Sequence, residues 1–201
     1  MARKKQKLSF SSNPAKDNTA AQILPYLYLG SRSSAAPENA LASGITHIVS
    51  IGCRPAGGGH ASISYHRISL RDNPTEDLHT PARLVAEIIR NAKAKHTGAR
   101  VLVHCVAGVS RSAAVVASYL VEEEGLSLRE ALALLIRMRP AVRPNDGFLK
   151  QLQKLEREVT GDSSLVSATL PLRLREKLEV LGIAMGAVGI SDKPQAQIFP
   201  R

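Results

Sequence analysis

An α/β fold with a central, mainly parallel β-sheet flanked by helices is what this sequence predicts. Three observations carry the prediction. Short runs rich in β-branched residues alternate with stretches of helical apolar spacing. Turn residues close the strand-like runs at Gly30 and at Arg71-Asp72-Asn73-Pro74. The 201-residue chain has a hydrophobic fraction of 44%, enough for one sizeable core but hardly for two full domains.

The elements follow in order. Residues 1–20 are polar and basic, with Arg3, Lys4, Lys5 and Lys7 near the start and Ser11-Ser12-Asn13-Pro14 after them, and read as a flexible leader. Gln22 to Gly30 reads as one short strand, and Pro37 to Ser43 as a helical segment with proline in its first turn. Ile45 to Ile51 is a buried strand, and Ser64 to Leu70 a half-alternating one that breaks at Arg71-Asp72-Asn73-Pro74. From about Thr80 the spacing turns helical, with Leu84, Val85, Ile88, Ile89 and Ala92 on one face until Gly98. Val101-Leu102-Val103 is then a central strand that ends in His104 and Cys105.

A largely apolar helix follows from Ser112 to Leu120. Ser127 and Glu130 form a capping-box pattern for the next helix, which Arg139-Pro140 ends. Gly147 to Val159 is an amphipathic helix carrying Phe148, Leu149, Leu152 and Leu155. Gly161 to Ser164 looks like a boundary, dividing a 21–160 main domain from a 161–201 extension. Within that extension Leu172 to Met185 is compatible with a helix. Its Leu174, Leu178 and Leu181 share a face that either meets a partner or membrane surface or folds back on the domain.

Composition narrows the classes. The net charge is +10, from 27 basic and 17 acidic residues, which suits acidic or phosphorylated partners as well as nucleic acid or anionic membrane. Aromatics make up only 3% and Trp is absent, so no stacking platform for nucleic acid is expected. Cys53 and Cys105 are too few for a disulfide framework or for a zinc site of their own. The longest apolar stretch, Val180 to Ile190, is too short to span a bilayer, and the basic start lacks a following apolar segment. The expectation is a soluble protein of a reducing compartment, cytoplasmic or nuclear, with no metal or cofactor.

The chemistry concentrates in His104-Cys105-Val106-Ala107-Gly108-Val109-Ser110-Arg111-Ser112. Cysteine is a strong nucleophile only as its thiolate. Between a strand and a helix, Cys105 would face the positive helix end and a ring of backbone N–H groups. The five residues Val106 to Ser110 let the backbone curl around one phosphoryl group, with Gly108 at its tightest point. Arg111 offers a planar guanidinium to two phosphate oxygens. Ser112 is placed to stabilise a departing thiolate, and His104 to fix the loop by hydrogen bonding. A proton donor is needed for the leaving group, and Asp72 is the candidate, with Glu76 and Asp77 as competing carboxylates.

These residues resemble the signature of the protein tyrosine phosphatase superfamily, and the Ala-Gly-x-Ser-Arg-Ser ending resembles its dual-specificity branch. Ile23 to Ser31, Gly44 to Val49, and Arg139-Pro140 with Asn145 to Leu149 are similar to the same branch, so the likeness covers most of residues 22–158. It implies a small, atypical dual-specificity phosphatase acting on phosphotyrosine, and on phosphoserine or phosphothreonine, in proteins. Asp72 then resembles the family's general acid, and Asn145 its support for the active-site loop. Ser50 stands where the family often has Asn, with less reach. Cys53 is either a redox partner for Cys105 or an unrelated loop thiol. Related activities on phosphoinositides, RNA 5′-triphosphates or phosphoglucans are disfavoured by the uncharged Val106, Ala107 and Val109. A pseudophosphatase that only binds phosphoprotein is disfavoured by the intact Cys105, Arg111 and Asp72.

Overall fold

The computed structural model describes residues 14–183. The basic run at 3–7 and the chain beyond 183, including Met185 and Val188 to Arg201, lie outside them. Five strands form one sheet: β1 Ala21–Leu24, β2 Leu27–Gly30, β3 His47–Ile51, β4 Ser64–Ile68 and β5 Val101–His104, in the order β1-β2-β5-β3-β4. The last four in that order run parallel, and only β1 is antiparallel to its neighbour. The expected single strand from Gln22 to Gly30 is therefore a hairpin. Proline at position 25 cannot donate to a ladder, and the chain turns at Pro25-Tyr26.

Alternate residues of the parallel strands face opposite layers. Tyr28, Ile48 and Leu102 pack with Ala40 of α1 (Pro37–Ala42) on one side. Leu29, Val49, Ile51 and Val103 pack on the other, larger helical layer. That layer holds α2 (His79–Lys95), α3 (Arg111–Glu122), α4 (Leu128–Met138) and α5 (Asp146–Thr160). Helix α3 is buried from Ser112 through Val121, which its Ala- and Val-rich sequence permits. On α2 the buried stripe is Ala82, Val85, Ala86, Ile89 and Ala92. Leu84 does not join it and is 45% exposed, because a residue one step before Val85 points away from α3. The Ser127–Glu130 capping box forms at α4 as the pattern requires.

Two terminal segments dock on this core. Residues 14–20, read from sequence as part of the leader, lie against the molecule through Asp17, Ser31 and Arg139 contacts, since Asp17 supplies the counter-charge for a buried guanidinium. Residues 163–183 also return to the core, burying Leu165, Leu170, Leu178 and Leu181. Their helix α6 is Leu174–Val180, shorter than the expected segment. Of the two fates open for its leucine face, the structure shows the fold back onto the domain.

Register decides where a site can form. Gly30 is opposite His104, and Ser50 is opposite His104 on the other side. The loops leaving β2, β3 and β5 therefore converge at the carboxyl end of the sheet, where open α/β sheets bind ligands.

Candidate active site

The loop Cys105–Ser110 joins β5 to α3, so strand and helix fix both ends of its curl. Gly108 has φ +66, and a Cβ there would lie 2.4 Å from the Gly30 carbonyl oxygen. Position 108 thus needs glycine for conformation and for space. Around it, Val106 is exposed at the rim while Ala107 and Val109 are half-buried.

Cys105 lies at the floor of the loop, 2% exposed. The Ser112 hydroxyl donates to its sulfur at 3.2 Å. Burial pushes the thiol's pKa up. The Ser112 hydroxyl and N–H, the Arg111 charge and the Gly108 N–H outweigh it, so the net shift is downward and favours thiolate. Helix-end N–H groups and the Arg111 cation act together here.

Arg111 donates through Nη1 to the Gly52 carbonyl at 2.9 Å. Its Nε is buried without a hydrogen-bond acceptor among the described residues, Asp72 Oδ2 standing 3.6 Å away. Gly52 is a residue that sequence reasoning missed. At φ +61, a Cβ on it would come within 2.5 Å of Arg111 Nη1 and 2.0 Å of the Leu70 carbonyl.

Asp72 is tied to the loop from two sides. Its Oδ1 accepts from Ser110 Oγ at 2.7 Å and from Asn145 Nδ2 at 2.9 Å. Ser110 Oγ in turn accepts from the Asn145 N–H at 3.1 Å. Asn145 also caps α5, its side chain accepting from the Phe148 N–H. The rival carboxylates go elsewhere: Asp77 accepts from the N–H groups of His79 and Thr80, and Glu76 faces Arg71 at 3.8 Å. The Asp72 turn rests on α5 through two further residues to which the sequence assigned no such role. Gln151 bonds Leu78 N–H and the Glu76 carbonyl, and Gly147 lies so close to Pro74 that a Cβ would meet its carbonyl oxygen at 1.9 Å.

Below the loop, Ser50 Oγ lies 2.8 Å from His104 Nε2, and His104 Nδ1 lies 3.1 Å from the Cys105 carbonyl. A carbonyl can only accept, so Nδ1 carries the proton and Nε2 accepts from Ser50. The shorter side chain at position 50 therefore reaches its partner. Cys53, half-buried, has its sulfur 3.9 Å from the same Nδ1. Burial raises its pKa, as does the neighbouring Cys105.

Desolvation lowers the His104 pKa to about 4, with the Arg32 charge acting the same way. The sign for stability follows. Below about pH 6.5 the unfolded chain takes up a proton that the folded state refuses, so this contribution is complete above that pH and is lost towards pH 4. A loss of roughly 3 kcal/mol is expected across that window. Urea unfolding at intervals from neutral to acid pH measures it. His104→Asn should flatten the slope, and an unchanged slope would refute the assignment.

Arg139 is the largest omission of sequence reasoning, which read it as a helix end and part of a family-like segment and gave it no role at the loop. It is 2% exposed and clamps the outer side of the loop. Its Nε donates to the Gly108 carbonyl at 3.0 Å, and Nη2 donates to Ala107 and Pro14 carbonyls at 2.9 and 3.0 Å. Asp17 accepts from Nη1 at 2.8 Å. With carbonyls drawn outward, the corresponding peptide N–H groups are free to face inward. Only the three-dimensional return of residue 139 to residue 108 reveals this.

The chain resembles known proteins in both sequence and fold. Residues 27–158 match the family described as dual specificity phosphatase, catalytic domain. Rat protein phosphatase Slingshot homolog 3 is 38% identical over 140 residues, which cover 69% of this chain and 21% of that protein. The chain thus spans about a fifth of the length of those relatives. Human dual specificity phosphatase 28 is 37% identical over 145 residues, covering 72% of this chain and 81% of that one. Among solved structures, human dual specificity phosphatase 28 superposes with a TM-score of 0.63 at 34% identity, over 69% of this chain and 93% of that one. A mouse putative dual specificity phosphatase, solved as a complex with zinc tungstate, gives 0.65 at 31% identity, over 78% and 96%.

Proposed function

Because the chain belongs to the dual specificity phosphatase catalytic-domain family, we propose that it dephosphorylates phosphotyrosine, and phosphoserine or phosphothreonine, in proteins through a phosphocysteine intermediate. The observation that carries this reading is the Cys105 thiol, biased to thiolate by Ser112 and Arg111 beneath an Asp72 tied to the same loop. The Cys105 thiolate attacks phosphorus, and Asp72 gives its proton to the departing side-chain oxygen. Arg111 and the loop N–H groups hold the three equatorial oxygens as charge builds on them. A water assisted by the Asp72 carboxylate then attacks the phosphocysteine, and the Ser112 hydroxyl stabilises the thiolate that leaves. His104, Ser50 and Asn145 position the loop and take no part in proton transfer.

The substrate reading rests on the uncharged lining formed by Val106, Ala107 and Val109, which offers one phosphoryl site rather than a polyanion cradle. The rim is different. Arg32, Arg54 and Arg67 are exposed at the ends of β2, β3 and β4, and among the described residues none pairs with a carboxylate. Acidic sequence around the phosphorylated residue suits that rim. The KM for an acidic phosphopeptide should rise by about threefold as ionic strength goes from about 0.01 M to about 0.15 M. Arg32→Glu with Arg67→Glu should remove most of that dependence. A salt-insensitive KM in the native protein would refute the role given to the rim.

No helix among the described residues is long and apolar enough to cross a membrane. We place the activity in the cytoplasm or nucleus, where a nucleophilic thiol stays reduced. The deciding assay sets phosphotyrosine and phosphothreonine peptides against phosphoinositides, phosphoglucan and triphosphorylated RNA. Phosphopeptide turnover supports the proposal. Preference for lipid, glucan or RNA would replace the substrate class, and binding of phosphopeptide without turnover would make the protein a pseudophosphatase.

A further inference from the structure

We propose that Lys177 is a positioning residue for the Cys105 loop, acting from outside the matched domain through the segment 139–145. Lys177 sits on α6, beyond residue 158, where the family match ends. It is 2% exposed, yet no carboxylate pairs with it among the described residues. Its ammonium instead donates to two backbone oxygens, those of Pro140 and Val142, each at 2.8 Å. The grip is returned, because Arg143 Nε donates to the Leu170 carbonyl at 2.6 Å.

A buried cation solvated only by peptide oxygens is costly unless those oxygens are held in one place. Holding them has a direct consequence. The gripped segment begins with Arg139, which clamps the carbonyls of Ala107 and Gly108. It continues with Arg143, whose backbone N–H donates to the Val109 carbonyl at 2.8 Å. Three consecutive peptide units of the catalytic loop are thus fastened from outside by one short segment, and Lys177 fastens that segment. The Gly108 N–H, one of the groups favouring the Cys105 thiolate, belongs to the same stretch. Anchoring is secured further along by Glu156, which accepts from the N–H groups of Leu128 and Ser164, and by Gln153, which donates to the Leu165 carbonyl.

The proposal rests on the phosphatase reading for its purpose, but its test does not need turnover. The rate at which iodoacetamide alkylates Cys105, followed by peptide mass mapping from about pH 5 to about pH 9, reports the thiolate population directly. The titratable and charged groups around that sulfur are Arg111 on α3, Cys53 after β3, His104 on β5, Asp72 in its turn and Arg32 after β2, and none is altered by substitution at 177. Burial and the facing Arg143 lower the pKa of Lys177 itself to about 8, so the profiles are compared below that pH. Lys177→Met should move the alkylation profile to higher pH, weaken orthovanadate inhibition about tenfold and lower kcat with a smaller change in KM. Lys177→Arg, which keeps the cation and its donors, should stay within about threefold of the native protein. Leu178→Ala, on the same helix but buried in the core, should lower the melting temperature and leave the alkylation profile in place.

A native profile and native vanadate affinity in Lys177→Met would overturn the proposal. So would an equal shift in Leu178→Ala at the same folded fraction, because that would reduce the effect to lost stability. If Lys177→Met does not fold, Lys177→Gln keeps one donor and is read by the same two measurements, with an intermediate shift expected and no shift counting against. A native protein that hydrolyses no phosphoester, yet shows the Lys177-dependent alkylation shift, would refute the phosphatase reading and leave this one standing.

Discussion

Cys105→Ser is expected to reduce turnover by on the order of 10⁵-fold or more while leaving phosphopeptide binding nearly intact. The sulfur lies at the floor of the loop and receives the Ser112 hydroxyl at 3.2 Å, with Arg111 and the Gly108 and Ser112 N–H groups adding to the field. That field is strong enough to lower a thiol's pKa despite burial. It cannot ionise a serine hydroxyl, whose pKa lies far higher, so the variant loses the nucleophile and keeps the anion site. Removal of the thiolate also takes away a negative charge that faces the incoming phosphate. Kd measured by calorimetry should therefore stay within a few-fold of the native KM or fall below it. Residual activity within about tenfold of native would place the covalent step on another residue.

Asp72→Asn is expected to cost between about 10² and about 10⁴ in kcat, depending on the leaving group. Phenoxide departs as the anion of a group with a pKa near ~10, whereas the alkoxide of serine or threonine is far more basic. The proton from Asp72 is accordingly worth more with phosphothreonine than with phosphotyrosine peptides. An activated aryl phosphate should lose least. Asparagine keeps the acceptor oxygen that Ser110 and Asn145 engage at 2.7 and 2.9 Å, so the turn should hold its place. Equal losses across leaving groups would mean that Asp72 supports the loop rather than donating a proton. No loss with any of them would move the acid role to another group.

Much of this arrangement was legible in the chain because it is written locally. Cys105, the five-residue curl with Gly108, and Arg111 lie on contiguous residues, and β-branched runs set the strands around them. The Ser127–Glu130 cap is likewise a four-residue pattern, and it formed as expected. What escaped is non-local. Arg139 looked like a helix end, although its guanidinium meets carbonyls 31 and 32 residues earlier in the chain. Gly52 carries no pattern of its own and is required because Arg111 and Leu70 approach from elsewhere. Leu84 misled because a hydrophobic residue beside a helical stripe is easily counted into it. The hairpin at Pro25-Tyr26 was hidden by an unbroken apolar run on either side of one proline.

The docked segment at residues 14–20 bears on how small an autonomous piece of this protein could be. The family match opens at residue 27, so a fragment cut to that frame would omit Asp17. Arg139 would then keep its place among the carbonyls of Ala107 and Gly108 but lose its carboxylate, in a position only 2% exposed. Stranding a buried charge in this way typically costs about 3–5 kcal/mol, a large part of an ordinary domain's margin. A cut at residue 158 would similarly remove Leu165, Leu170, Leu178 and Leu181, all buried in the main core. A self-sufficient unit of this chain therefore extends at least from Pro14 to Leu181, wider on both sides than residues 27–158 that match the family.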